Sequence, residues 1–148
     1  MKKILIAIII ILFGSQCIAM HTALFGGYRD GLALGLIMEK PFVSNVVYRF
    51  GIEGTTGQNH LLMFVGVRDY LLTSGAVPIS LRLSLLGYFG NNSALGGSFS
   101  FIFDNINNNK QLFFETGLDL VGSAKAMAQF GYKFGQSWEE QEKPDQSR

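Results

Sequence analysis

The chain has 148 residues, of which 48% are apolar and 16% charged, and its formal net charge is +1. This length suits one domain, and the few scattered basic residues do not form the electrostatic surface that nucleic acid requires. The mean hydropathy of +0.25 is high, yet after residue 25 no apolar run approaches the roughly 20 residues of a spanning helix. The composition therefore excludes a helical membrane protein beyond the N-terminus.

The N-terminal segment has the pattern of an export signal. Lys2 and Lys3 precede an apolar core over residues 4–13, and a small residue, Ala19, follows as in signal-peptidase sites. We expect residues 1–19 to be a signal peptide that is cleaved after Ala19. Cleavage would remove Cys17, so the mature chain would have no disulfide framework, thiol nucleophile or thiolate metal site. An uncleaved anchor helix is the alternative, because this segment is almost long enough to span a bilayer.

The first predicted strand covers residues 23–29 and ends at the dipeptide Asp30-Gly31, which is typical of two-residue hairpins. The alternative is one long strand from Tyr28 to Lys40, which would give seven strands in place of eight. We prefer eight, because bacterial single-chain barrels have even strand numbers.

The remaining segments alternate between apolar residues and small or polar ones, the period of strands whose two faces meet different surroundings. In chain order these segments cover residues 31–39, 46–53, 61–68, 79–86, 98–103, 112–121 and 124–134. Turn-forming residues separate them at position 41 and over residues 54–59, 73–78, 90–93, 104–110 and 122–123. Since such short connections join antiparallel neighbours, we predict an all-β fold, a closed antiparallel up-and-down barrel of about eight strands.

Alternation alone also fits a soluble lipocalin-like barrel or a sandwich. Three features favour a membrane barrel. The apolar face carries no charge in the middle of any strand, segments of about ten residues match a tilted bilayer crossing, and the opposite face is rich in the small residues that suit a narrow interior. Aromatic residues near the segment ends would form interfacial girdles: Tyr28, Phe42, Tyr70, Tyr88, Phe89, Phe103, Tyr132 and Phe134.

The last segment reads Ala128-Gln129-Phe130-Gly131-Tyr132-Lys133-Phe134. It resembles the closing strand of the small OmpA-transmembrane/OmpX-like outer-membrane barrels, and the pattern of residues 22–134 resembles that family without a diagnostic motif. The resemblance implies a transmembrane β-barrel in the outer membrane, and a structural or envelope-stabilising role. It also implies outer-membrane lipids, lipopolysaccharide and the outer-membrane assembly machinery as partners. In the family the aromatic-ended strand is the assembly signal, which assigns that role to Phe130, Tyr132 and Phe134.

The chain departs from the family pattern after its final aromatic residue. Residues 135–148 form a polar tail, which we expect to lie in the periplasm.

The face opposite the apolar one carries the ions. Its cations are Arg29, Arg49, Arg68, Arg82, Lys125 and Lys133, and its carboxylates are Glu39, Glu53, Glu115 and Asp119. Enclosed charges are tolerable only when paired, so we expect Glu115 and Asp119 to meet Arg49, Arg68, Arg82 or Lys125. The predicted lumen network comprises Arg49, Arg68, Arg82, Glu53, Glu115, Asp119 and Lys125. Because eight strands enclose only enough space for side chains, this network is expected to plug the lumen.

Two alternative functions remain open, a narrow porin-like channel and a soluble periplasmic lipocalin-like lipid carrier. Catalysis is not expected. Barrel enzymes that act on lipid A use a histidine with a serine and an acid, whereas His60 lacks the His-x-Ser pattern and His21 has no neighbouring acid. No spacing resembles a metal-ligand set, and no cofactor is expected.

Overall fold

The computed structural model describes residues 20–43 and 45–134, in which eight antiparallel strands form one closed barrel. Each strand pairs with the next in the chain, and the last pairs with the first. The strands are β1 (His21–Arg29), β2 (Leu32–Val43), β3 (Val46–Thr55), β4 (Leu61–Ser74), β5 (Val77–Phe89), β6 (Ala94–Asp104), β7 (Leu112–Val121) and β8 (Ser123–Phe134). The predicted all-β, up-and-down closed barrel is confirmed. The predicted signal peptide and polar tail lie outside the described residues.

The first hairpin shows that the barrel has eight strands and not seven. Asp30 and Gly31 adopt φ angles of 57° and 132°, which reverse the chain between β1 and β2. The amide of Arg29 donates a hydrogen bond of 2.9 Å to the carbonyl of Gly31 across this turn. The alternative of one long strand from Tyr28 to Lys40 is therefore wrong, because the backbone is not extended at Asp30.

Two predicted turns are strand in the structure. β2 continues through Pro41 to Val43, with a shift in register between these residues, and proline is tolerated at such strand irregularities. The segment 73–78 is also paired, Thr73 with Pro78, and only residues 75–76 turn. Gly75 makes this short turn possible because its φ of 63° is accessible to a residue without a side chain.

The barrel has two ends that differ in construction. We call one the turn end, which carries the connections over residues 30–31, 56–60, 90–93 and 122. The other, the terminal end, contains the start of β1, the end of β8, the end of β2, the start of β3 and the connections over residues 75–76 and 105–111. A short 3-10 turn, Ile106–Asn108, lies in the last of these. None of the described residues belongs to a helix long and apolar enough to cross a membrane.

Three inward aromatic rings each lie across a glycine on the neighbouring strand. The register pairs Phe25 with Gly35, Phe64 with Gly51, and Phe113 with Gly131. A methyl group at any of these three glycines would overlap the ring opposite. Glycine is thus needed at these positions because a bulky ring fills the narrow interior above it.

Candidate functional site

The lumen is the candidate functional site, because long charged side chains from every strand converge in it. Arg29, Arg49 and Arg82 are at most 1% exposed, and Glu115 and Asp119 are equally buried. Successive residues of a strand point to opposite faces. Every second residue therefore faces the lumen, where the charged side chains lie, and the residues between them face outward.

A continuous chain of ion pairs begins at the middle of the lumen. Arg82 and Arg49 share one carboxylate, with their Nη2 and Nη1 atoms 3.0 and 2.8 Å from the two oxygens of Glu115. The hydroxyl of Ser100 donates a further hydrogen bond of 2.6 Å to this carboxylate. Arg49 then reaches Glu39, at 3.3 Å from its Nε. The buried carboxylate of Glu115 is thereby held by one hydrogen bond and two ion pairs from three strands, which compensates for the loss of water.

The chain of ion pairs continues from Glu39 to the terminal end of the barrel. Glu39 lies 3.4 Å from Nη1 of Arg68, and Arg68 forms a second ion pair with Asp104 through its Nη2. Asp104 also accepts a hydrogen bond of 2.6 Å from Nζ of Lys133 on β8. Seven charges of alternating sign therefore run without interruption from Arg82 to Lys133.

A second group of charges lies toward the turn end. Arg29 holds Asp119 through two hydrogen bonds of 2.7 and 2.8 Å and lies 3.2 Å from Glu53. The phenol of Tyr88 donates a 2.7 Å bond to Asp119, and the amide of Gln129 donates a 2.6 Å bond to Glu53. The planar guanidinium suits this two-point contact with a carboxylate.

One further ion pair lies in the lumen at the turn end. Nζ of Lys125 lies 2.8 Å from Asp30, and the two side chains are 27% and 15% exposed. This pair is the one most accessible to water among the ion pairs of the described residues.

Aromatic rings fill the space between the charged groups. The ring of Phe64 lies 5.4 Å from the guanidinium of Arg29 and 4.7 Å from that of Arg82. It therefore lies between the turn-end group and the chain of ion pairs. The Phe113 ring similarly contacts the cations of Arg49 and Lys133, at 5.5 and 5.8 Å. Such contacts stabilise a desolvated cation without adding a charge.

The charges of the lumen balance. Within the described residues, six cations and six carboxylates form ion pairs. The cations are Arg29, Arg49, Arg68, Arg82, Lys125 and Lys133, and the carboxylates are Asp30, Glu39, Glu53, Asp104, Glu115 and Asp119. The interior is therefore a neutral assembly of opposite charges.

All seven residues of the predicted lumen network face inward, but their partners differ in part from the expectation. Glu115 meets Arg49 and Arg82, whereas Asp119 pairs with Arg29, and Lys125 pairs with Asp30. The partner of Asp119 is 90 residues away along the chain. Sequence alternation places side chains on a face and does not reveal which of them meet across the lumen.

Sequence reasoning missed two lumen residues that the alternation itself could have found. The turn predicted over residues 104–110 includes Asp104, although Asp104 shares a face with Ser98 and Ser100 on β6. The prediction that Tyr88 belongs to an aromatic girdle is wrong, because its side chain is 1% exposed and its hydroxyl contacts Asp119 inside the barrel.

The outer wall is apolar around the barrel. Large apolar side chains stand exposed on all eight strands, among them Leu34, Ile52, Val65, Leu85, Leu95, Phe101, Leu120 and Phe130. Among the described strand residues, the charged ones at outward positions are Lys40 and Asp69, both near the terminal end. The residues of the predicted assembly strand, Phe130, Tyr132 and Phe134, also face outward, at 63%, 38% and 48% exposure.

The two histidines lie at opposite ends of the barrel. His21 begins β1 at the terminal end, and His60 lies in the connection between β3 and β4 at the turn end. Within residues 20–43 and 45–134, no group of three His, Cys, Asp or Glu side chains is arranged to hold a metal ion.

Comparisons with protein-family models, with curated proteins and with solved structures found no match to this chain.

Proposed function

We propose that this chain is a small outer-membrane β-barrel protein with a structural or envelope-stabilising role and a lumen plugged by paired charges. One observation carries the proposal: large apolar side chains cover the outside of the barrel, while the paired charges lie inside beside a cluster of buried apolar residues. A water-soluble barrel instead turns its polar and charged side chains outward to water.

The outer wall supports a lipid environment. Leu85 and Leu95 are 71% and 81% exposed, and they belong to an apolar surface that extends over all eight strands. Contiguous apolar patches beyond a few hundred Å² mark interaction surfaces on soluble proteins. A band that encircles a barrel matches the hydrocarbon layer of a bilayer, with the lipids and lipopolysaccharide of an outer membrane as its surroundings.

The inner wall supports a plug in preference to the two alternatives. A carrier of lipid needs an apolar cavity, whereas this interior holds six cations and six carboxylates in contact, beside apolar side chains that pack against one another in a buried cluster. A diffusion pore needs a continuous water path, whereas the rings of Phe64 and Phe113 lie between the cations of the lumen. At eight strands, side chains fill the interior.

The outward aromatic residues of β8 support recognition by the outer-membrane assembly machinery. The rings of Tyr132 and Phe134 contact each other at 5.5 Å between centroids. They lie on the outer wall, where a partner that inserts the barrel would reach them.

The membrane position is tested with single cysteines, since the mature chain would contain none. Leu85→Cys places a thiol on the outer wall, Ser84→Cys places one on the neighbouring inward position, and Asn91→Cys places a control in an exposed turn. In intact envelopes we expect a charged, water-soluble maleimide to modify only Asn91→Cys, and to modify Leu85→Cys only after the barrel is unfolded in denaturant, because a thiol among acyl chains neither ionises nor meets the reagent. Rapid modification of Leu85→Cys by the charged reagent would overturn the outer-membrane assignment.

Plug and channel are separated by recordings on planar bilayers that contain the purified barrel. The plug predicts no resolved conductance in the wild-type protein and the appearance of conductance in Phe64→Ala, which removes the ring between Arg29 and Arg82. Steady conductance in the wild-type protein would favour the narrow channel. A shift in gel mobility between heated and unheated samples in detergent provides the folding control.

A further inference from the structure

The inner wall of β3, β4 and β5 contains a cluster of hydrogen-bond donors around one glycine. Arg49, Gly66 and Ser84 are direct partners in the register of these three strands, and all three lie on the inward face. Arg82 is the preceding inward residue of β5. A methyl group at Gly66 would overlap Ser84 and the carbonyl of Leu83, so the glycine lets Ser84 lie directly against the backbone of β4.

The donors of this cluster are incompletely used. Arg82 is 0% exposed, and its hydrogen bonds and ion pair run through Nη2, to Ser98 at 2.9 Å, to the sulfur of Met127 at 3.5 Å and to Glu115 at 3.0 Å. Its Nε and Nη1 atoms are buried and have no acceptor among the described residues, and the hydroxyl of Ser84 has none either. A buried donor that is left unsatisfied loses its hydrogen bond to water without a replacement, which destabilises the folded state, and most of all when the group is charged.

Arg49 adds a second positive charge to this cluster. Its Nε and Nη1 atoms lie at ion-pair distances of 3.3 and 2.8 Å from Glu39 and Glu115, without the alignment of a hydrogen bond. The donors that lack any acceptor therefore belong to Arg82 and Ser84.

The local charge has the sign that an anion requires. Arg82 has one carboxylate within ion-pair distance, that of Glu115, and shares it with Arg49, whose other partner, Glu39, is itself shared with Arg68. The ring of Phe64 covers the guanidinium face of Arg82 at 4.7 Å, which leaves the edge of the group to bind an acceptor. A water molecule would satisfy N–H groups, but only an anion also compensates the positive charge that this sharing leaves at Arg82.

We propose that Arg82, Ser84 and Arg49, arranged around Gly66, form a binding site for one small monovalent anion of the halide class inside the lumen. The size limit follows from the eight-stranded barrel, whose interior is filled by side chains. The site rests on the inner wall alone, so it holds for the folded barrel wherever in the cell that barrel resides.

The test measures thermal unfolding of the purified barrel in neutral detergent, at fixed pH and ionic strength. Sodium chloride or sodium bromide is compared with sodium gluconate, whose anion is too large for the lumen. A ligand that binds only the folded state raises the unfolding midpoint with concentration. We expect a rise of several degrees with chloride and bromide that saturates, as a site does and general screening does not.

Two variants and a control connect the effect to the site. Arg82→Gln removes the cation and is expected to abolish the halide-dependent rise. Ser84→Asp supplies a carboxylate within the cluster and is expected to make the midpoint independent of halide. The control is Arg68→Gln, because Arg68 bonds Glu39, Ser80 and Asp104. It should unfold earlier and retain the halide-dependent rise.

Several outcomes would overturn the proposal. Equal midpoints in chloride and gluconate for the wild-type barrel would do so, as would a halide-dependent rise that persists in Ser84→Asp. If Arg82→Gln does not fold, Ser84→Asp and bromide-soaked crystals decide the question. An anomalous bromide peak within hydrogen-bond distance of Arg82 supports the site, and its absence at high occupancy of bromide elsewhere contradicts it.

Discussion

The inner and outer walls of the barrel are made by the same strands, but they are stabilised in different ways. Along β5, Arg82 and Ser84 face the lumen, while Leu83 and Leu85 face outward at 53% and 71% exposure. The inner wall depends on individual pairs, because each buried charge needs its own partner at a defined distance. The outer wall depends on an average property, apolarity, which many different side chains provide. Inner substitutions should therefore be costly one residue at a time, and outer ones only when they add charge.

The largest effect is expected from Glu115→Leu. This carboxylate is the shared partner of Arg49 and Arg82 and also accepts a hydrogen bond from Ser100. Its removal leaves two buried guanidiniums short of charge compensation, and breaking a buried pair in this way costs about 3–5 kcal/mol. Urea unfolding of the barrel in lipid vesicles measures the loss.

The matched control for Glu115→Leu is Leu118→Val, an apolar exchange at an outward position of the same strand. We expect it to change the free energy of unfolding by less than about 0.5 kcal/mol, as surface substitutions usually do. Equal effects of the two substitutions would contradict the difference between the walls.

The next effect is expected from Leu83→Arg on the outer wall. Leu83 is bracketed in the register by Val67 and Phe99, near the middle of the strands. If lipid surrounds it, an arginine there costs about 2–4 kcal/mol, whereas a charge near the edge of the band costs about 0–1 kcal/mol. Asp69→Arg, at an outward position that is already charged, is the control.

The Leu83→Arg measurement is made in two environments, lipid vesicles and denaturant-free buffer without lipid. A barrel that stays folded in buffer and is unaffected by Leu83→Arg would show that the outer wall meets water.

The alternation of residues predicted most of this fold, because a strand with different solvents on its two faces must repeat every second position. The same rule places Glu115 and Arg82 inside. Contacts across the lumen could not be predicted, because they depend on the tilt and stagger of the strands around the closed barrel. Asp119 thus meets Arg29 and not one of the four expected cations.

The errors at strand ends have a common cause. Pro41 and residues 73–78 contain turn-forming residue types, but hydrogen bonding to the neighbouring strand prevails and extends β2, β4 and β5. The wrong prediction for Tyr88 has a related cause. Its position near the end of β5 suggests an aromatic girdle, but it shares the inward face of this strand with Arg82.

A smaller effect is expected from Gly131→Ala, which tests how tightly the inner wall is packed. A methyl group at Gly131 would overlap the ring of Phe113 on the neighbouring strand. Overpacking of this kind costs about 1–3 kcal/mol, and the loss is measured by urea unfolding. We expect Phe113→Leu to relieve part of it in the double variant.

Gly97→Ala is the matched control for Gly131→Ala. A methyl group at Gly97 finds its nearest neighbour, the carbonyl of Ser84, at 3.9 Å. It should leave stability unchanged or raise it slightly, because alanine reduces the freedom of the unfolded chain. If both glycines tolerate alanine equally, the ring-over-glycine pairs do not limit packing.

The smallest effect is expected from Lys125→Met. This substitution tests whether removing one partner of a lumen ion pair is costly only when the pair is deeply buried. Lys125 pairs with Asp30 at 2.8 Å, but the two side chains are 27% and 15% exposed at the turn end, where water reaches both. Partly hydrated ion pairs contribute less than about 1 kcal/mol, and salt weakens them. We therefore expect a small loss of stability at low ionic strength that disappears at about 1 M salt, where the screening length falls to about 3 Å. A loss as large as that of Glu115→Leu, persistent in salt, would mean that pairing itself governs the inner wall, independently of depth.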